Sequence, residues 1–394
     1  MAAWLDVVSD GEGWSLIDTG RLREIVQDMA HPNSQFPFLI LFAGNPSRVR
    51  ALRTLFPRNN VTRKGPGGFV RLHISTVTAQ KEQPVMFAET DIFTQNGMGD
   101  TVSSRYRFKN LRRFHIPVPD KGASVEEVKR KIIASKILPW TKVICFFVSS
   151  SSEMENVQRL LQGSHRSLTV GDQPLPENIH VIIVLTEGDA DNPESNAYCS
   201  NMKDESFPNQ TILDLRHHTG MSELVIFEPL RRLIMDQLYE RDSIEQIGQN
   251  ANFSATHLYT LWNADLQLQE NWQKEVDLDC LQIARGNFPE NSGLSNCLVE
   301  FKKIMDRLRC PDSETHQFIA SALLMNAYPP EMHKFPPELV FKSMYEKHCL
   351  VAYPTLESTD FTKGVMREFS REFTKLGPHN SSATLRLKIS RTVE

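Results

Sequence analysis

The chain lacks an apolar run approaching the roughly 20 residues needed to cross a bilayer. Its amino terminus, MAAWLDVVSDGEGW, carries acids where a secretory leader carries Lys or Arg, and it has no apolar h-region. A membrane span and secretion are therefore not expected, and the sequence reads as a cytoplasmic protein. Cysteine is sparse, at positions 145, 199, 280, 297, 310 and 349, with no CxxC pair, so zinc ribbons and redox dithiols are not expected. Charge of one sign is lacking too. The formal net charge of -4 exerts no global pull toward nucleic acid or an anionic membrane. There is no G-x-S-x-G elbow to expose a nucleophilic serine, so Gly65-Pro66-Gly67-Gly68 has no serine to serve as an oxyanion loop. His217-His218 follows Asp214, but no further His or Cys stands at ligand spacing, and no metal site is expected. Internal repeats and low-complexity tracts are also missing.

What the chain does have is length and patterned apolar sequence. Its 394 residues are enough for roughly two or three domains with large cores. The organising stretch is residues 35–57, QFPFLILFAGNPSRVRALRTLFP. An apolar run, 36–42, meets a sharp turn at Gly44-Asn45-Pro46, after which Val49, Leu52, Leu55 and Phe56 recur at helical spacing. This is a strand, a tight loop and a helix, the place where a nucleotide-binding fold puts its phosphate loop. The simplest physical reading makes Asn45 the helix N-cap and Pro46 the first helical residue.

Upstream, Leu22, Ile25, Val26 and Met29 fit one face of an N-terminal helix within residues 1–35. Downstream, the runs 69–76 and 84–93 read as two strands joined by a hairpin-length connection. Ser124 caps a helix with Glu126 and Glu127 in its first turn. Apolar strands at 142–148 and 179–185 flank a helix at 153–161, a short strand is expected at 224–227, and Pro229 is expected to open a helix. Strands apolar on both faces and alternating with helices predict a mostly parallel sheet covered on both sides. Beyond about residue 242 the strand signal gives way to helical patterns at 255–269, 277–284, 294–308, 316–325 and 337–348. The expected organisation is an N-terminal helical segment (1–35), an α/β domain (36–241), an α-helical domain (242–376) and a polar tail (377–394). The tail holds a weak period-two run at 385–389.

Set against the phosphate loop G-x-x-x-x-G-K-[ST], only Gly44 fits. Val49 replaces the second glycine, Arg50 the lysine and Ala51 the magnesium-binding hydroxyl. Arg48 and Arg50 could still meet an anion at the helix start. The second strand of the expected pair ends in Glu89-Thr90-Asp91. The order of elements resembles that of small GTPases, in which the corresponding strand ends in DxxG and a later one in [NT]KxD. Asp91 keeps the first acid without its glycine, and Thr186-Glu187-Gly188-Asp189 keeps only Thr186 and Asp189 of the second motif. The resemblance implies a degenerate P-loop GTPase-like α/β fold with an eroded site at Gly44, Arg48, Arg50, Asp91 and Asp189. GTP or ATP is the nucleotide such a site would take; no other cofactor is implied.

The basic-aromatic stretch 105–115, RYRFKNLRRFH, suits a protein partner better than nucleic acid, given the acidic overall balance. In the helical half, Ala327-Tyr328-Pro329-Pro330, Met332-His333 and Phe335-Pro336-Pro337 stand out. Physically they read as a rigid connection between helices, with Tyr328, Met332 and Phe335 packing inward. With residues 253–258, FSATHL, and Phe42-Ala43-Gly44, the segment resembles the region preceding the patatin-like phospholipase domain in large fungal multidomain proteins. That resemblance, over most of 36–349, implies a P-loop-related domain with a helical extension and no catalytic serine. The expected function is a non-catalytic or weakly nucleotide-binding regulatory or interaction protein. The alternatives are an active NTPase with Arg50 in place of the lysine, and an accessory protein of a fungal biosynthetic pathway.

Overall fold

The computed structural model describes residues 3–9, 13–57, 68–93, 111–116, 124–162, 168–175, 179–186, 209–218, 220–239, 252–268, 277–285, 293–329, 332–352 and 358–376. The chain divides into two compact units. The first comprises Met1–Ser167, Glu177–Asp242 and Asn252–Asp277; the second comprises Leu168–Pro176, Ser243–Ala251 and Leu278–Glu394.

Along the chain run β1 (Ala3–Ser9), β2 (Trp14–Asp18), α1 (Arg21–Gln27), β3 (Phe38–Gly44), α2 (Ser47–Leu55), β4 (Val70–Ile74), β5 (Val85–Thr90) and β6 (Arg112–Ile116). Next come α3 (Val125–Ile132), a π turn through Ile137, β7 (Val143–Val148) and α4 (Ser151–Gln162). Two short strands, β8 (Leu168–Val170) and β9 (Gln173–Pro174), belong to the second unit. The first unit resumes with β10 (His180–Leu185), β11 (Gln210–Asp214), α5 (Glu223–Tyr239) and α6 (Ala255–Gln267).

The first unit is a mixed α/β structure around a nine-stranded sheet of order β11-β10-β7-β3-β5-β4-β1-β2-β6. The five strands from β11 to β5 are parallel, and β4, β1, β2 and β6 continue antiparallel. Of the parallel strands, β3, β7 and β10 are the continuous apolar runs of the sequence, because both of their faces are buried, whereas the edge strand β11 is only half-buried. Phe42, Phe87, Phe147 and Ile182 form one face with Leu52 and Leu55 of α2 and Leu230 and Ile234 of α5. Leu39, Leu41, Ile144 and Phe146 alternate to the other face and are equally buried. From β3 the chain goes to β5 on one side and later to β7 on the other. The carboxyl end of β3 is therefore a topological switch point, where open α/β sheets leave a crevice for ligands.

The structure corrects several expectations. Ahead of the predicted helix, Ala3–Ser9 and Trp14–Asp18 are the antiparallel strands β1 and β2 of the main sheet. The run 224–227 is helical, since α5 begins at Glu223 and contains Pro229. A short apolar run is ambiguous between strand and helix, and here the helical repeat Phe227, Leu230, Ile234 is the buried one. The last strand of the sheet is instead β11. The domain boundary also shifts, because α6 belongs to the first unit. Trp262 on α6 packs against Trp4 with ring centroids 4.7 Å apart, and the Asp265 carboxylate meets Lys136 Nζ at 2.6 Å, both side chains fully buried.

The second unit is mainly helical: α7 (Cys280–Arg285), α8 (Leu294–Arg307), α9 (Asp312–Ala327), α10 (Pro337–Phe341), a π turn at Lys342–Glu346, α11 (Lys347–Ala352) and α12 (Ser358–Thr374). The pairing of β12 (Leu278–Asp279) with β8, and of β8 with β9, adds a small sheet. Helix α12 was not foreseen in the sequence. Its Val365 and Phe369 join Leu323, Phe341 and Tyr345 in the core. At the ends of the proline-containing connection after α9, the buried Tyr328 hydroxyl donates to the Phe335 carbonyl at 2.7 Å.

Among the described residues no helix is long and apolar enough to cross a membrane. The loop Gly65-Pro66-Gly67, residues 105–110, Asp189, and the tail with its run at 385–389 lie outside the described residues.

Candidate functional site

The site grows from the turn between β3 and α2. Gly44 adopts φ +114°, and a Cβ there would lie 2.2 Å from the Phe147 carbonyl oxygen, so only glycine lets β3 end this close to β7. Asn45 then ties three strand ends together. Its amide donates to Phe147 O (3.0 Å), its Oδ1 accepts from Ser47 N (2.9 Å), and its Nδ2 donates to Thr186 Oγ1 (3.1 Å) just past β10. The N-cap of α2 is Pro46, one residue later than the expected Asn45, and no side chain caps the helix; the Asn45–Ser47 bond instead closes an Asx turn across Pro46, which has no amide to satisfy. Arg48 N donates to Asn45 O (3.2 Å) and Val49 N to Pro46 O (3.1 Å). Each amide available from Asn45 to Val49 therefore donates within the protein, whereas a phosphate cradle needs amides facing the ligand.

Arg48 closes the loop from the inside. Its Nη1 donates to the carbonyls of Gly44 (2.6 Å) and Asn45 (3.0 Å) and lies 3.6 Å from Asp91 Oδ2. Burial lowers the pKa of this guanidinium, and the charges of Asp91 and Glu89 act in the opposite direction. Asp91, just past β5, also accepts from Phe93 N at 3.1 Å. Arg50 points elsewhere, its Nη2 donating to Ser47 Oγ at 2.8 Å.

Beneath this pair sits a charge cluster. Glu89, on β5, is 3% exposed. Its Oε1 accepts from Arg71 Nη1 at 3.1 Å and lies 3.4 Å from His73 Nε2. Burial alone would raise the Glu89 pKa, but the hydrogen bond and charge of His73, with the charges of Arg71 and Arg48, bring it to about 2. Arg71 pairs directly with Glu89 in the antiparallel ladder and His73 lies two residues along on the same face.

The structure thus brings together Gly44, Arg48 and Asp91 and places Arg50 next to them on the helix. The contribution of Arg71 and His73 was missed. The period-two pattern Val70-Arg71-Leu72-His73-Ile74 beside an acid on the partner strand was the signal available. Among the described residues, no group of three or more His, Cys, Asp or Glu side chains is placed to hold a metal ion. No protein-family model matches the chain, and no curated protein matches it.

Proposed function

We propose that the chain is a non-catalytic, pseudo-GTPase-like regulatory or interaction protein. One observation carries this reading: the Arg48 guanidinium is folded onto the Gly44 and Asn45 carbonyls in front of Asp91, while the loop amides are engaged within the protein. A phosphate loop offers its amides outward and holds magnesium through a hydroxyl. This loop offers its own arginine inward and has Ala51 in the hydroxyl's position.

The order of strands supports a GTPase-like ancestry for the scaffold. From β4 through β5, β3, β7 and β10 to β11, five parallel strands carry one antiparallel strand at the side of β5, and the strand–loop–helix unit lies at the centre. On this reading the fold is kept and the nucleotide chemistry is lost. The protein then works through a protein partner.

Calorimetric titration with Mg·GTP and Mg·ATP tests the reading. No heat of binding is expected from the wild-type chain. Saturable, Mg²⁺-dependent binding that Arg50→Ala or Asp91→Ala abolishes would overturn it in favour of an active site with Arg50 as the phosphate-binding residue.

A further inference from the structure

Helix α8 of the second unit carries two apolar stripes. Leu298 and Met305, one heptad apart, are buried in the unit, at 5% and 6% exposure. The second stripe is Cys297, Phe301, Ile304 and Leu308, the last being the residue that ends the helix. Cys297 is exposed and Phe301 half-buried, while Ile304 and Leu308 are 50% and 67% exposed. At 3.6 residues per turn, spacings of four, three and four confine these side chains to a strip about 60° wide. Phe318 of α9, 43% exposed, lies with its ring 6.5 Å from that of Phe301 and widens the strip.

A solvated helix face is normally charged, and α8 keeps most of its charge away from this strip. Lys302 contacts Asp306 and Asp312, and Lys303 contacts Glu300. The strip has the d-a-d-a spacing of a heptad seam. Leu298 and Met305 fall at its e positions, and Glu300 and Arg307 at its g positions. Those two g residues are exposed and opposite in sign.

We propose that this strip is a self-association surface on which α8 of a second copy of the chain packs antiparallel about a two-fold axis. The charges select both the occupant and the direction. In an antiparallel pair g faces g, so Glu300 of each copy meets Arg307 of the other, twice, by symmetry. In a parallel pair g faces e, and both e residues are apolar and buried in their own unit. The antiparallel register sets Cys297 opposite Leu308 and Phe301 opposite Ile304 of the second copy.

Light scattering coupled to size exclusion, over a range of micromolar concentrations of the full chain, reads the association. The wild-type mass should rise toward that of a dimer. Leu308→Asp should remain monomeric with an unchanged circular dichroism spectrum, since the side chain it replaces is mostly exposed. Glu300→Arg should weaken the dimer, and adding Arg307→Glu should restore it. Under mild oxidation, Leu308→Cys in a Cys310→Ser background should give an interchain disulfide between Cys297 and the introduced cysteine. A wild-type chain monomeric at every concentration would overturn the proposal, as would a Cys297–Cys297 cross-link or failure of the charge swap to restore association.

Discussion

The Arg48 guanidinium stands 3.6 Å from the Asp91 carboxylate, across the mouth between the ends of β3 and β5. Arg48 also holds two carbonyls of the turn, so it is a structural part of the loop. Arg48→Ala leaves those carbonyls without their shared donor and is expected to cost about 1–3 kcal/mol. Urea denaturation of the variant measures this; an unchanged midpoint would contradict the role given to Arg48.

Gly44→Ala should be more damaging than an ordinary loop substitution. The positive φ costs an L residue about 1–2 kcal/mol, and the added methyl group meets the backbone of Phe147, not a flexible side chain. A loss of at least about 2 kcal/mol in equilibrium unfolding is expected, and wild-type stability in this variant would show that the close approach of β3 and β7 is not required.

Acid should find Glu89. Its carboxyl titrates near 2 in the folded protein against an ordinary value of 4.5, so the folded state favours the ionised form. The resulting stabilisation is fully present above about pH 4.5, is lost as the pH falls toward 2, and amounts to about 3 kcal/mol. Glu89→Gln should flatten the decline of melting temperature over that window. An identical pH profile for variant and wild type would rule the cluster out as its source.

The Lys136–Asp265 pair joins the π turn after α3 to α6 with both side chains at 0% exposure. Lys136→Met alone strands a buried carboxylate and should cost about 3–5 kcal/mol. The double variant Lys136→Met/Asp265→Leu should recover most of that loss. A double-mutant cycle with no coupling would contradict the pairing.

The sequence was legible where local physics decides. Residues 142–148 read as a buried strand because all after Lys142 are apolar, and the strand observed is Val143–Val148. Ser124 read as a cap, and its Oγ accepts from Glu127 N at 3.2 Å. Gly44, Asn45 and Pro46 announced their turn. What stayed hidden depends on partners distant in the chain. Asp265 looks like a polar residue on a helix until Lys136, 129 positions away, is seen beside it, and Trp262 gives no sign that Trp4 is its neighbour. For that reason α6 read as part of the helical domain. The same holds at the site. An arginine after a glycine turn reads as an anion binder, and only the bonds from its Nη1 to Gly44 O and Asn45 O show it turned inward.

We propose that the closed loop takes no nucleotide, which the melting temperature of the purified chain with GTP, GDP, ATP and ADP, with and without Mg²⁺, tests directly. A ligand at 100 times its Kd would add about 2.7 kcal/mol and raise the melting temperature by a few degrees. No change is expected with any of the eight additions. A clear Mg²⁺-dependent rise with one nucleotide would contradict it and return Arg48 and Arg50 to the role of phosphate ligands.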